Sequence, residues 1–150
     1  MPRPRIAALA LAAACQVAGG ATGGGDEGHP GYRVDGEGIS APLDGLTGDA
    51  GRGRARILAR DPANCILCHA VPEATLSGNL GPSLAGAGRR FTAAELRLRV
   101  VDERRVVPQT IMPSYYRTAG LTGVAPEYRG RTILDAQAIE DIVAYLGTLR

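Results

Sequence analysis

Cys65-Ile66-Leu67-Cys68-His69 decides how the chain folds, because no other stretch brings together so many residues able to bond a prosthetic group. Two cysteines three apart face one side of a helical turn, and the following residue supplies an imidazole. C-x-x-C-H is the attachment sequence for c-type haem: the sulfurs form thioethers with the two former vinyl groups, and the imidazole ligates the iron. The reading is therefore one covalent haem c, held through Cys65 and Cys68, with His69 as an axial and metal ligand.

Three other uses of a cysteine pair were weighed. A thioredoxin-like redox pair wants a βαβ surround, and the neighbouring pattern is helical. A structural zinc site wants four ligands, yet outside the pentad and the leader only His29 could contribute, from a glycine-rich stretch. A plain disulfide suits an exported chain but leaves His69 without a purpose. Composition favours haem as well. With one Phe, five Tyr and no Trp among 150 residues, the chain lacks the usual bulky core fillers, and a flat macrocycle would provide that apolar volume.

A second ligand is sought next. Met112 is the only methionine besides the initiator and stands 43 residues after His69, before Pro113. Pro113 disfavours the α conformation at Met112, so the thioether projects from an extended or turning segment. His/Met ligation fills both axial positions and raises the reduction potential, which suits electron transfer better than oxygen chemistry. Met112 as a core filler, and a small haem peroxidase or ligand sensor in which Met112 is off the iron, are the competing readings.

The predicted class is all-α, since no alternating strand pattern competes with three helical ones. Thr47 or Asp49 caps a segment running to about Arg60, with Ala50, Gly53 and Ile57 on one face. Thr92-Ala93-Ala94-Glu95 is a capping box, followed by Leu96 and Val100 one turn apart. Asp135 caps a last helix in which Ile139, Ile142, Val143 and Leu146 form one stripe. The long Gly- and Pro-rich connections between them need something to wrap around.

Outward from this domain, Met1-Pro2-Arg3-Pro4-Arg5 followed by the apolar run 6–14 reads as an export signal, too short to span a bilayer. The predicted signal is 1–21, cut after Ala14 or near Gly19-Gly20-Ala21. Ala12-Ala13-Ala14-Cys15 resembles a bacterial lipoprotein box with Ala12 where Leu is usual, so Cys15 is either a lipid anchor or discarded. Residues 22–44 are expected to be a Gly-rich acidic flexible tail and 45–150 the folded domain. The tail carries a net −4 and the domain +4. All 17 basic residues are Arg, without a basic stripe or interleaved aromatics, which argues against nucleic-acid binding.

The pentad, Gly81-Pro82 and Met112-Pro113 together resemble a class I cytochrome c. That resemblance implies that the carbonyl of Pro82 accepts a hydrogen bond from His69, and that Gly53 and Ile57 pack against Ile142 and Tyr145. A narrower resemblance rests on Gly-Asn-Leu-Gly-Pro-Ser-Leu-Ala-Gly at 78–86, Thr-Ile-Met-Pro-Ser-Tyr-Tyr-Arg-Thr at 110–118, Gly-Leu at 120–121, Val-Ala-Pro-Glu-Tyr-Arg-Gly at 124–130 and Ile-Leu at 133–134. These stretches are similar to the SoxX family, small monohaem cytochrome subunits of bacterial sulfur oxidation.

The family implies a periplasmic heterodimer with a SoxA-like cytochrome. That complex conjugates thiosulfate oxidatively to a cysteine of the carrier SoxYZ, an L-cysteine S-thiosulfotransferase reaction, and passes electrons to a downstream cytochrome c or other acceptor. It also implies that the sulfur chemistry occurs at a cysteine in SoxA, so this chain carries electrons and does not catalyse by itself. A free soluble cytochrome c carrier is the alternative. Arg89, Arg90 and Arg117 are candidates to neutralise haem propionates or a partner's acidic surface, and Tyr115 and Tyr116 to bond a propionate, line the SoxA interface or simply pack.

Overall fold

A computed structural model describes residues 31–150; the export segment, Cys15 and His29 lie outside them. Five α-helices follow one another: α1 (Ala50–Leu58), α2 (Cys65–Cys68), α3 (Ala87–Arg90), α4 (Ala93–Asp102) and α5 (Ala136–Thr148). Single 3-10 turns lie at Leu43–Gly45, Glu103–Arg105 and Pro126–Tyr128, and no strand is present among the described residues. The fold is all-α.

The expected helix starts are where the capping chemistry puts them. Asp49 accepts the amide of Arg52 at 2.7 Å, Thr92 and Glu95 close a reciprocal capping box, and Asp135 accepts the amide of Ala138 at 2.7 Å. The stripe Ile139, Ile142, Val143 and Leu146 is buried along α5, as are Leu96 and Val100 on α4 and Ile57 on α1. α1 stops at Leu58, two residues short of the expected end, because Ala59 turns extended. The short α3 carries too little periodicity to be seen in the sequence.

α1 and α5 cross at Gly53. A methyl group built there would run into the backbone carbonyl of Asp141 and come within 2.9 Å of Tyr145 Cβ, so only hydrogen fits at the crossing. The expected approach of Gly53 to Tyr145 is present, with Asp141 as the nearest backbone. Two consecutive acids of α5 then address different helices. Glu140 receives Arg97 of α4 through Nε at 2.7 Å and Nη2 at 2.9 Å, both side chains being buried. Asp141 receives Arg52 of α1 through Nε at 2.9 Å and Nη2 at 2.7 Å, the amide of Asp49 at 2.9 Å and Gln137 at 2.9 Å. Removing one partner of a buried pair leaves the other charge uncompensated, at a cost of about 3–5 kcal/mol, so the Arg97–Glu140 contact fixes how α4 meets α5.

The same pair corrects the expected tail. Ile39 and Leu43 are almost wholly buried, Arg97 Nη1 donates to the carbonyl of Ile39 at 2.6 Å, and the amide of Leu43 donates to Glu140 Oε1 at 2.9 Å. The amide of Ile39 also donates to the carbonyl of Ala94 at 3.0 Å. Residues 38–43 are thus part of the domain, and the boundary at 45 falls too late. The reason is specific: two apolar residues in a glycine-rich acidic stretch find a groove whose floor is a paired Arg and Glu, which composition averages out.

Burial alone would raise the Asp141 carboxyl, but hydrogen bonds from Arg52, Asp49 and Gln137 outweigh it and hold the group far below the ordinary range. Its stabilising contribution is therefore complete above the ordinary carboxylate pKa of about 3.9 and is lost as pH falls below that value. Asp141→Asn should lower stability by roughly 1.5–3 kcal/mol at neutral pH. The gap between the two proteins should close as pH drops below about 4, measured by denaturant unfolding across the pH range.

Candidate functional site

The site is built on the single turn α2. Asn64 sits at φ 54°, a left-handed conformation that asparagine tolerates better than most residues, and so starts a helix abruptly after the bend at 61–63. The amide of His69 closes the turn on the carbonyl of Cys65 at 2.9 Å, after which the backbone becomes extended and carries the imidazole off the helix. Both cysteines are free and half-buried. Burial pushes the Cys65 thiol up to about 11, with Cys68 adding to the rise against a lowering backbone hydrogen bond. A thiol poised for disulfide exchange has its pKa lowered, so this environment speaks against a redox pair. Among the described residues no three His, Cys, Asp or Glu side chains gather into a metal-binding group, and the tetrahedral ligand set of a structural zinc site is not assembled there.

The loop from Gly78 to Leu84 lies along this turn. Gly78, Gly81 and Leu84 donate their amides to the carbonyls of Ile66, Cys68 and Ala70 at 2.8, 2.8 and 2.9 Å. The loop thereby brings the carbonyl of Pro82 to 2.7 Å from His69 Nδ1. A carbonyl can only accept, so Nδ1 carries the proton, and in the neutral ring the lone pair is on Nε2. Gly81 is the bed of the ring: a Cβ there would stand 2.5 Å from His69 Cε1 and 2.7 Å from Nδ1. Arg90 secures the same loop from α3, donating to the carbonyls of Ser83 at 2.9 Å and Ala85 at 2.5 Å. Its expected availability for a propionate is superseded by this loop contact.

Met112 lies half-buried against the core on the segment between α4 and α5, its amide donating to Thr110 Oγ1 at 3.1 Å. Three residues on, buried Tyr115 reaches back and donates its hydroxyl to the carbonyl of Ala63 at 2.7 Å, two residues before Cys65. Burial, with the nearby cysteines, raises the Tyr115 hydroxyl. Tyr115 thus ties the segment bearing Met112 to the approach of α2. Tyr116 is buried against Tyr32, with ring centroids 6.2 Å apart, so both tyrosines take the packing role among the uses considered. Arg117 donates to Asp102 at 3.2 Å and to the carbonyl of Ala119 at 2.8 Å, and Arg89 is exposed.

The residues suit a c-type haem on two counts. Two unpaired thiols stand one turn apart beside an imidazole whose Nε2 lone pair is available. The Nε atoms of Arg99 and Arg104 are buried without hydrogen-bond partners, donors of the kind a propionate carboxylate takes. Glu103 Oε2, just beyond α4, is likewise buried without a partner, and burial raises that carboxyl against the pull of Arg99. Arg99 stacks at 4.3 Å over Phe91. Neither Arg99 nor Arg104 stands out in the sequence, where they are two of many arginines. Apolar side chains meanwhile stay exposed on the segments bearing the site: Leu67 at 65%, Leu80 at 68% and Ile111 at 72%.

No protein-family model matches the sequence, and no curated protein matches it. The chain is similar to a chain in the crystal structure of SoxXA from P. pantotrophus, with a TM-score of 0.71 and 31% identity, covering 79% of this chain and 93% of that one. Together with an all-α fold laid around a C-x-x-C-H turn, this likeness defines a class I cytochrome c. The likeness extends over nearly the whole of that chain at appreciable identity. The present chain belongs to the SoxX family.

Because the ring of His69 rests on the Gly81 backbone, Gly81→Ala should lower the fraction of protein carrying covalent haem at least severalfold. Gly147→Ala, where a methyl group meets nothing within 4 Å, should leave it unchanged. Haem absorbance per mole of purified protein measures both.

Proposed function

We propose that Cys65 and Cys68 hold one haem c covalently, that His69 and Met112 are its axial ligands, and that the chain carries electrons as the SoxX subunit beside a SoxA-like cytochrome. The hydrogen bond from His69 Nδ1 to Pro82 carries this reading. It locks the tautomer that offers Nε2 and makes the ring a stronger donor to a metal. When bound, haem supplies a one-electron iron couple whose potential a thioether ligand raises.

The residues around it divide the remaining work. Cys65 and Cys68 would tether the macrocycle to α2, and Gly81 and Pro82 hold the imidazole. Met112, in a bend just before Pro113, offers a soft sulfur that favours the reduced state. Arg99 and Arg104 offer their buried Nε–H groups to propionates, and burial beside Tyr115 keeps water from the cysteine side. Leu67, Leu80 and Ile111 are exposed apolar side chains of the sort a protein partner covers. In the crystal structure of the P. pantotrophus complex the related chain belongs to SoxXA, which supports a SoxA-like cytochrome as that partner.

The pathway reading follows from the family. The chain acts in the periplasm after export on its N-terminal signal, with Cys15 as a possible lipid anchor if cleavage precedes it. It accepts the electrons released when thiosulfate is joined to the SoxYZ cysteine and delivers them to a downstream cytochrome c or other acceptor. Bond making at sulfur falls to SoxA. No helix of the described residues is long and apolar enough to cross a membrane.

Met112→Ala should abolish the weak ferric absorption at about 695 nm that marks methionine ligation and lower the potential by on the order of 100 mV. An unchanged band and potential would remove Met112 from the iron. Expressed with its genomic neighbours, the chain should co-purify with a larger haem protein, and its deletion should stop thiosulfate oxidation. A monomer whose deletion leaves that oxidation intact indicates a free carrier.

A further inference from the structure

Asp102 ends α4 with a fully buried carboxylate that none of the roles above uses. Its Oδ1 accepts the hydroxyl of Ser114 at 2.5 Å, and its Oδ2 accepts Arg117 Nη1 at 3.2 Å with Arg105 Nε 3.9 Å away. Ser114 and Arg117 both belong to the segment that follows Met112. The amide of Tyr116, between them, donates to the carbonyl of Val101 at 3.2 Å. One carboxylate and the carbonyl before it thus anchor three of the four residues 114–117 to the end of α4, while the fourth, Tyr115, is tied to Ala63.

The chain between anchor and thioether is short and stiff. Pro113, whose ring fixes φ near −65°, is all that separates Met112 from Ser114. Methionine itself has three soft side-chain torsions, so placement of its sulfur must come from the backbone that carries it. Tyr32 packs over Tyr116, and Asp102 has no exposed surface, so the anchor is shielded from water. We propose that Asp102 is a positioning residue for Met112, holding the ligand-bearing segment closed through Ser114 and Arg117. Asp102 does not touch the ligand; it sets how often the segment swings away.

This inference rests on Met112 being an axial ligand, and the test separates the two. Imidazole competes with a thioether for ferric iron, so its apparent dissociation constant, read from loss of the band at about 695 nm and the accompanying Soret shift, reports opening of the segment. In the haem-loaded protein Ser114→Ala should bind imidazole roughly tenfold more tightly, the effect of losing one hydrogen bond to a charged group. Asp102→Asn keeps an acceptor for Ser114 but loses the charge facing Arg117, and should shift the constant the same way by a smaller factor. Thr92→Ala removes the capping box at the far end of α4 and should change it less than twofold, although it also lowers global stability.

A Ser114→Ala or Asp102→Asn constant within twofold of wild type overturns the proposal, as does a Thr92→Ala shift equal to that of Ser114→Ala. Met112→Ala serves as the reference. If it binds imidazole no more tightly than wild type in the Soret readout, the ligation reading itself fails. If it binds tightly while Ser114→Ala does not, only the role of Asp102 fails.

Discussion

The bond from His69 to the carbonyl of Pro82 is the constraint to which the rest of the structure answers. An imidazole on the residue just after a one-turn helix has no direction of its own, since the helix ends before it can hold the ring. Direction comes from a loop laid along the turn by three amide-to-carbonyl bonds, with a glycine backbone beneath the ring and a proline carbonyl at its edge. Such a loop cannot hold itself, which is why Arg90 reaches from α3 to two of its carbonyls. The short α3 is there to present that arginine, and α3 in turn is held where the amide of Gly88 donates to the carbonyl of Leu149 beyond α5.

Charge takes over part of the work that aromatic packing does elsewhere. Glu140 and Asp141 are neighbours on α5, about 100° apart around the helix axis, so one addresses α4 and the other α1. Each is matched by an arginine with forked geometry and also by a backbone amide, which satisfies several acceptor sites at once. Asp102, at the end of α4, is matched instead by a serine hydroxyl and a single arginine nitrogen. In a chain with no Trp and one Phe, these three carboxylates fix the mutual placement of helices and loops whose apolar contacts alone are interchangeable.

The consequence for function is a rigid frame with two different attachments. His69 is held by α2 and its strapped loop; Met112 is carried by the segment after α4, which Asp102 and Tyr115 hold. The two segments are thus anchored independently of one another. The apolar side chains left exposed, Leu67, Leu80 and Ile111, stand on those same two segments.

Helix caps and stripes were legible because they are local: Asp49, Thr92 with Glu95, and Asp135 act within one turn, and the α5 stripe repeats with the helix period. The attachment turn was legible because covalent chemistry demands a spacing that chance rarely produces. By itself, then, the sequence determined the helices, the haem-binding pentad and the family. Tertiary structure alone decided that residues 38–43 belong to the domain, that Arg90 serves a loop, that Tyr115 looks inward and that Asp102 anchors the segment beyond Met112. Each of those depends on a partner between 5 and about 100 positions away, and the strength of a buried hydrogen bond or ion pair depends on which groups the folded chain brings together and shields from water.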